Sequence, residues 1–376
     1  MQDKPPHTSG REDIDRRFMA AAIRFSRRHL GLTGTNPSVA SLLVRDDGDG
    51  PHIVGRGVTA IGGRPHAEPR ALKEAGERAR EATAYVTLEP CAHHGRTPPC
   101  AEALITSGVR RVVGAASDPD PRVSGKGYAM LRRAGIEVVE GVLADEAADL
   151  LAGYMARSVK KRPEVILKLA ISRDGKIGVA GKGQIPITGE ISRRQVHLMR
   201  AEADAILIGI GTALADNPSL TCRLPGLEAR SPTRIVLDPA LQLPLGSTLV
   251  SSAGQVPLLV ASPQNADPIH RKMLSDAGAG FVAVELHEHQ VALPELLEDL
   301  ANRGFSSLVV EGGAQTARAF LTEALVDRLS LFVGPKEIGV EGIASPILPD
   351  HIPAGFTLGR QAQFGNDSYF EYVRIG

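Results

Sequence analysis

The chain has 376 residues, which exceeds the size of one ordinary hydrophobic core and predicts two domains. Lysine plus arginine equals aspartate plus glutamate at 43 each, so the formal net charge is zero and gives no sign of a nucleic-acid partner. The N-terminal stretch is polar, and no apolar run reaches the length of a membrane span. We therefore expect a cytoplasmic protein with a disordered tail at residues 1–13, and neither a nucleic acid nor a membrane as its partner.

Residues 14–159 alternate between helical and strand patterns. Helical periodicity begins at Arg16, and another helix is predicted to begin at His66, where Pro69 suits the first turn. The other predicted elements are strands at 39–44, 53–58, 84–88, 111–115 and 137–139 and helices at 100–106 and 144–157. Strands that alternate with helices predict an α/β domain whose sheet is covered by helices on both faces.

The basic run Lys160-Lys161-Arg162-Pro163 interrupts this pattern and indicates a linker between domains. The alternation restarts after it and continues through residues 163–376. Strands are predicted at 165–171, 205–210, 234–237, 257–261, 281–284, 307–310 and 328–333, and helices at 192–203, 293–303 and 315–324. The sequence therefore predicts a second α/β domain after the first.

Two of the three cysteines, Cys91 and Cys100, follow a His-x-Glu pair formed by His66 and Glu68. Zinc prefers a tetrahedron of imidazole nitrogen and thiolate sulfur, and a catalytic zinc leaves one position to water. We predict that His66, Cys91 and Cys100 bind zinc. His66 and Cys91 are both expected at helix starts, where the helix dipole favours the thiolate form of a cysteine. Glu68 is then placed to take the proton of that water and pass it to a departing amine.

Two simpler interpretations of these residues stay open. Buried cysteines often pack as small hydrophobic residues, and short motifs produce false matches. A structural zinc would need a fourth protein ligand, which His93 or His94 could provide. Cys222, which has no cysteine or histidine partner, is interpreted as a packing residue.

The His-x-Glu pair with Pro-Cys and a second cysteine resembles the zinc nucleobase deaminases, although eight residues separate the cysteines here rather than two. The segments TLEPC (87–91) and GRTPPC (95–100) resemble the deaminase half of the RibD family of bifunctional riboflavin-biosynthesis enzymes. This resemblance implies a cytidine-deaminase-like α/β/α fold for residues 14–159. It also implies that Asn36, His93 and Arg96 contact the pyrimidine and its ribosyl phosphate. From the residues alone, a turn and two exposed loop side chains are the alternative.

Segments of the second domain resemble the reductase half of the same family, which has a dihydrofolate-reductase-like α/β fold. They include SRDGKI (172–177), GTALADNP (211–218) and VEGG (310–313). The resemblance assigns substrate binding to Lys168, Arg200, Leu220, Arg223 and Glu311. It assigns NADPH binding to Ala170, Thr188, Thr212, Asp216, Gly313, Ala314, Gln315 and Thr316. Pro186 departs from the family, which often carries tryptophan at this position.

Three features of these segments suit such a site on physical grounds. The strand at 307–311 leads into two glycines and a helix, so a phosphate could approach backbone amides closely. Lys168 interrupts an apolar strand, and a buried ammonium needs a partner or a pocket, with an exposed sheet edge as the alternative. Arginines such as Arg200 and Arg223 suit a sugar phosphate because guanidinium binds oxyanions in a bidentate manner.

The resemblance implies one enzyme with two activities. The first would deaminate 2,5-diamino-6-(5-phosphoribosylamino)pyrimidin-4-one at zinc, and the second would reduce the ribosyl group to ribityl with NADPH. A small-molecule substrate and a possible homo-oligomer follow from the same resemblance. The alternatives are a nucleic-acid or nucleoside zinc deaminase with an appended binding domain, a zinc-stabilised scaffold without activity, and a protein in which only one half is active.

Overall fold

The computed structural model describes residues 10–95, 98–287 and 290–375. The chain divides into two compact units, Met1–Lys160 and Lys161–Gly376, which we call unit 1 and unit 2. The division falls within the basic run that the sequence indicates as a linker. Among the described residues, no helix combines the length and the apolar character needed to cross a membrane.

Unit 1 is an α/β structure built on one sheet. Its helices are α1 (Gly10–Ser26), α2 (Ala67–Ala75), α3 (Cys100–Thr106), α4 (Lys126–Arg133), α5 (Ala144–Leu150) and α6 (Ala152–Lys160). Its strands are β1 (Ala40–Arg45), β2 (His52–Val58), β3 (Thr83–Leu88), β4 (Arg111–Ala116) and β5 (Glu137–Val139). In the part of unit 1 that is described, they form a five-stranded sheet in the order β2-β1-β3-β4-β5. β1 is antiparallel to β2 and β3, whereas β3, β4 and β5 are parallel.

The N-terminal helix begins earlier than the sequence predicts. Residues 10–13, assigned to a disordered tail, form the first turn of α1, and only residues 1–9 of that tail lie outside the described residues. Two acidic residues in this turn, Glu12 and Asp13, stabilise the helix start because they interact with the positive end of the helix dipole. Arg11 also forms an ion pair with Glu137 of β5 at 2.8 Å. The tail prediction is therefore wrong for these four positions, because a contact distant in sequence extends the helix.

A buried ion pair ties α1 to the sheet of unit 1. Arg111 of β4 donates two hydrogen bonds to the Asp15 carboxylate, each of 2.7 Å, and the Tyr85 hydroxyl donates a third of 2.8 Å. Asp15 and Arg111 are both buried. Because the pair is bidentate and further hydrogen-bonded, its attraction can offset the cost of removing two charges from water.

Asp15→Asn should destabilise unit 1 by about 3–5 kcal/mol, because it leaves the buried Arg111 without its main counter-charge. The free energy of unfolding of unit 1, followed by hydrogen exchange of the β3 and β4 amides, checks this expectation. Asp47→Asn, which alters an exposed pair with Arg45, is the control and should change stability by less than about 1 kcal/mol. Equal effects of the two substitutions would contradict the account.

Unit 2 is built on a larger sheet. Its helices are α7 (Glu190–Glu202), α8 (Ile210–Asp216), α9 (Thr248–Ser251), α10 (Pro268–Asp276), α11 (Leu293–Asn302) and α12 (Ala314–Thr322). Its strands are β6 (Glu164–Ile171), β7 (Lys176–Val179), β8 (Ala205–Gly209), β9 (Thr233–Leu237), β10 (Leu258–Ser262), β11 (Gly280–Ala283), β12 (Leu286–His287), β13 (Gln290–Val291), β14 (Ser307–Glu311), β15 (Arg328–Val333), β16 (Gly342–Ala344), β17 (Phe356–Phe364) and β18 (Asp367–Arg374).

The described residues of unit 2 form a nine-stranded sheet in the order β11-β10-β9-β8-β14-β6-β15-β18-β17. The strands from β11 to β15 run parallel, and β18 and β17 add an antiparallel edge. β6, β8 and β14 lie at the centre, so residues at their carboxyl ends meet at one edge of the sheet. The predicted α/β class is confirmed for both units.

Candidate active sites

Three side chains of unit 1 converge on one point. His66 immediately precedes α2, Cys91 follows β3 in a loop, and Cys100 begins α3. Their ligand atoms all lie within 4.8 Å of one another. The Nδ1 atom of His66 is 3.8 Å from the Cys91 sulfur and 3.4 Å from the Cys100 sulfur, so the imidazole presents Nδ1 to both.

The position of Cys91 corrects one detail of the sequence interpretation. Cys91 was expected at a helix start, but it lies in a loop, and the nearby helix begins at Cys100 instead. The Cys100 amide, at the start of α3, donates a hydrogen bond of 3.3 Å to the Cys91 sulfur. Hydrogen bonds from Cys100 lower the pKa of Cys91 to about 4, and the one from its side chain has the largest effect. The first residue of α3 therefore stabilises the Cys91 thiolate from across the loop, mainly through its side chain and less through its amide, and His66 adds to the effect.

The donor set fits zinc in a catalytic arrangement. One imidazole nitrogen and two sulfurs are ligands that zinc prefers, and three protein ligands leave a fourth position free. Among the described residues, no further histidine, cysteine or carboxylate joins this group. His94 faces Glu102 at 3.5 Å instead, and the Nδ1 of His93 is buried without a hydrogen-bond partner. The geometry therefore favours the open site over a closed structural one.

Glu68 lies beside the ligand group in the first turn of α2. Glu68 is only 3 % exposed. Burial, and after it the negative charge at Cys91, raise the pKa of Glu68 to about 7. A carboxyl group with a pKa near neutrality can both accept and release a proton, as general acid–base catalysis requires.

The structure gives fewer contacts for the three substrate-binding residues predicted in unit 1, which are Asn36, His93 and Arg96. Asn36 packs against Gly63, three positions before His66, where a Cβ would meet the Asn36 side chain. His93 is partly buried in the loop that follows Cys91. Arg96 lies outside the described residues.

Sequence reasoning missed Asp118, a buried carboxyl group near the metal ligands. Burial raises the pKa of Asp118, and the Cys91 charge contributes in the same direction. The Tyr154 hydroxyl donates a hydrogen bond of 2.9 Å to Asp118. Asp118 follows β4, which is parallel to the strand that leads to Cys91, so adjacent strand ends were the signal that could have located it.

A charged cluster lies at the centre of the unit 2 sheet. Arg200 of α7 donates two hydrogen bonds of 2.9 Å to the Glu311 carboxylate, and the Lys168 ammonium lies 3.6 Å from it. Burial alone would raise the pKa of Glu311, but Arg200 and Lys168 outweigh it and lower the pKa to about 2. β6, which carries Lys168, lies between β14 and β15, so the alternative of an exposed sheet edge is excluded.

The cluster borders a cavity of about 1050 Å³. Most residues that the sequence assigned to substrate and cofactor line it: Lys168, Ala170, Arg200, Thr212, Asp216, Leu220, Glu311, Gly313, Ala314, Gln315 and Thr316. Thr188 and Arg223 do not line it. The neighbour of Thr188, Ile187, takes that place, and the Arg223 guanidinium donates a hydrogen bond of 2.5 Å to the Ser219 hydroxyl.

The turn before α12 fits a dinucleotide phosphate. The Gly313 amide donates a hydrogen bond of 3.0 Å to the Thr212 hydroxyl. A Cβ at Gly312 would approach Thr316 to 3.1 Å, so a side chain at this position would crowd the helix start. Amides at a helix start are a common phosphate site, and this one opens into the cavity. Two isoleucines, Ile185 and Ile187, line the cavity on either side of Pro186.

Comparison with known proteins identifies both units. Residues 163–367 match the RibD C-terminal domain, and residues 12–116 match the cytidine and deoxycytidylate deaminase zinc-binding region. The riboflavin biosynthesis protein RibD of Aquifex aeolicus is 38% identical, over 88% of this chain and 90% of that protein. The chain belongs to the RibD family. It is therefore a bifunctional riboflavin-biosynthesis enzyme with a zinc-dependent deaminase and an NADPH-dependent reductase.

Solved structures of the RibD family have the same overall fold. RibD of Acinetobacter baumannii superimposes with a TM-score of 0.83 at 35% identity, covering 97% of this chain and 100% of that one. A Thermotoga maritima protein described as a diaminohydroxyphosphoribosylaminopyrimidine deaminase/5-amino-6-(5-phosphoribosylamino)uracil reductase gives 0.83 at 32% identity, covering 97% and 99%. The expected cytidine-deaminase-like first domain and dihydrofolate-reductase-like second domain are thereby confirmed.

Cys91→Ser and Cys100→Ser should each lower the zinc content from about one ion per chain toward zero, because two ligands hold zinc far more weakly than three. Metal analysis after dialysis against a weak chelator measures this content. Cys222→Ser is the matched control, since Cys222 is also a buried free cysteine but lies in unit 2. Loss of zinc from the control, or its retention in both site variants, would contradict the assignment.

Proposed function

We propose that unit 1 hydrolyses the ring amine of 2,5-diamino-6-(5-phosphoribosylamino)pyrimidin-4-one and that unit 2 reduces the ribosyl group of the product to ribityl. The observation that carries the first half is the open His66, Cys91 and Cys100 group beside the buried Glu68. The cavity of unit 2, with a glycine turn for phosphate and a cationic cluster, supports the second half. Relatives described with the same paired activities support the order of the two reactions.

In the deaminase, Glu68 carries the proton. Zinc, when bound by His66, Cys91 and Cys100, supplies Lewis-acid chemistry that makes water nucleophilic. Glu68 accepts the proton of the attacking water, whose oxygen bonds to the ring carbon, and delivers this proton to the exocyclic amine on the same carbon. The amine leaves as ammonia when its bond to that carbon breaks. The low polarity around this carboxyl group, which raises its pKa to about 7, suits both transfers.

The substrate contacts of unit 1 are also part of this proposal. Asn36 and His93 are assigned to the pyrimidine and its ribosyl phosphate because their positions match the family motif. His93 lies close to the metal ligands in sequence, and its buried, unpartnered Nδ1 leaves a hydrogen-bonding atom for a ligand. Arg96 would add a positive charge suited to phosphate.

In the reductase, orientation and fixed charge account for catalysis. NADPH, when bound, would supply the hydride for the ribosyl carbon, and the bond from this carbon to the ring oxygen would break as that oxygen takes a proton. Lys168 and Arg200 face the cavity as cations that can bind substrate oxygens, and Glu311 holds both in place. Thr212, Asp216 and the turn at 313–316 would bind the cofactor, so that nicotinamide and sugar meet at a fixed distance.

Three further expectations belong to this proposal. The substrate is a small phosphorylated pyrimidine and not a nucleic acid, because the net charge is zero and the reductase cavity suits a dinucleotide. A homo-oligomer and a cytoplasmic location are predictions that follow from the family. Binding of NADPH, titrated by its fluorescence, separates the proposal from a nucleic-acid deaminase with an appended binding domain.

Glu68→Gln should reduce ammonia release by roughly 100- to 10,000-fold, because the amide cannot carry the proton. Zinc content and NADPH oxidation with the deaminated intermediate should stay at wild-type values. Glu77→Gln, an exposed change in the same unit, is the control and should alter none of the three. Undiminished ammonia release from Glu68→Gln would refute the role of Glu68 in the deaminase mechanism, whereas no ammonia release from the wild type would favour the inactive scaffold.

Lys168→Met should lower the turnover of NADPH roughly 100-fold, because it removes a buried cation from the substrate side of the cavity. Affinity for NADPH and ammonia release should change little. Lys272→Met removes an exposed lysine and serves as the control. The loss of NADPH absorbance, measured with the deaminated intermediate, gives the rate. A wild-type rate in Lys168→Met would exclude a role of Lys168 in the reductase. No rate in the wild type would indicate that only unit 1 is active.

A further inference from the structure

Unit 2 contains a completely buried arginine whose hydrogen-bond acceptors are all uncharged. Arg234 of β9 has 0 % exposure. Its guanidinium donates hydrogen bonds to the Ser252 hydroxyl at 2.7 Å, the Val256 carbonyl at 2.5 Å and the Ser219 carbonyl at 3.4 Å. Its Nε is buried and lacks a partner, and burial lowers its pKa to about 10, so the group is still charged at neutral pH.

A buried charged side chain without an ionic partner is not expected to stabilise the folded unit. A charge taken out of water is compensated best by an opposite charge, and an apolar side chain of similar volume often replaces a buried charge without loss of stability. Among the described residues, the other buried arginines, Arg111 and Arg328, both form ion pairs with carboxylates. Arg234 differs from them because its hydrogen-bond acceptors are uncharged. Its role therefore lies in the backbone segments that its hydrogen bonds position.

The Arg234 guanidinium supports the loop of residues 217–223, which connects α8 with the segment before β9. The Ser219 carbonyl, which accepts from Arg234, lies between Pro218 and Leu220, and both of these line the reductase cavity. Leu220 has a φ of 55°, in the left-handed region that a leucine adopts only when its surroundings impose it. A hydrogen bond to the preceding carbonyl fixes the peptide that enters this conformation.

Other contacts fix the same loop at different points. The Thr248 amide donates a hydrogen bond of 2.8 Å to the Asn217 side chain, and Arg200 donates one of 3.2 Å to the Thr221 carbonyl. Arg200 thus connects this loop to Glu311 in the charged cluster. Arg234 of β9 contacts the loop at Ser219 and is itself absent from the cavity lining.

We propose that Arg234 is a positioning residue of the reductase, which holds the 217–223 loop in the conformation that binds the phosphorylated sugar substrate. The proposal rests on the proposed function, since the loop owes its role to Leu220, which lines the cavity. Arg234 touches neither substrate nor cofactor, and it acts through the backbone of Ser219. The side-chain hydrogen bonds of Arg234 go to Ser219, Ser252 and Val256, and none goes to α8 or to the 313–316 turn, which carry most of the assigned cofactor residues. NADPH binding should therefore depend on Arg234 much less.

Arg234→Met tests this proposal because it removes the charge and the hydrogen bonds while keeping a long side chain. KM for the deaminated substrate should rise roughly tenfold or more, since a displaced loop misplaces the binding groups. The affinity for NADPH, measured by fluorescence, should stay within about twofold, and the unfolding temperature of unit 2 should fall less than it does in Arg328→Met, which leaves two carboxylates unpaired. Arg234→Lys keeps the charge but shortens the reach, and should give a smaller rise in KM.

Arg328→Met is the matched control in the same unit. It leaves Glu164 and Glu371 without their partner, so it should lower the unfolding temperature and leave KM unchanged. The proposal is overturned if Arg234→Met follows the pattern of the control, or if it changes neither quantity. If Arg234→Met does not fold, the KM and the unfolding temperature of Arg234→Lys are compared with those of Arg328→Met instead. Ammonia release monitors the integrity of unit 1, and a wild-type chain that oxidises no NADPH would refute the proposed function instead.

Discussion

The convergence of one imidazole and two sulfurs is the constraint on which the chemistry of unit 1 depends. The three ligands come from the start of α2, the loop after β3 and the start of α3, so the sheet and two helices must pack correctly before the site exists. The same packing buries Glu68 beside the ligands and raises its pKa toward neutrality. Metal binding and proton transfer are therefore consequences of one piece of tertiary structure.

Unit 2 uses charge differently. There the buried carboxylate of Glu311 has a lowered pKa, because Arg200 and Lys168 surround it, and it serves to hold the two cations. The contrast with Glu68 shows how surroundings decide the role of a buried acid. Burial, with a smaller effect of the Cys91 charge, raises the pKa of Glu68 toward neutrality, whereas two cations keep Glu311 ionised. Each unit thus prepares its own site by burial.

Much of both sites could be predicted from the sequence because short motifs carry the chemistry. His66, Glu68, Cys91 and Cys100 have the spacing of a metal site, and the central strands of both sheets have strong apolar patterns. The sequence analysis missed features that depend on distant contacts: the first turn of α1, the buried Asp118, the support that Arg234 gives to a loop, and the edge strands β17 and β18. β17 is largely exposed and β18 is mostly only partly buried, so the pairing of β18 with β15, and of β17 with β18, sets their structure.

X-ray absorption at the zinc edge, on the full chain purified with its metal, tests the central claim most directly. The account predicts one zinc bound by two sulfurs at about 2.3 Å and by two lighter atoms at about 2.0–2.1 Å, one from the His66 ring and one from solvent. The lighter solvent atom should exchange with an added anion while both sulfurs stay bound. A shell of three or four sulfurs, or a fourth ligand that no anion displaces, would contradict an open site beside Glu68.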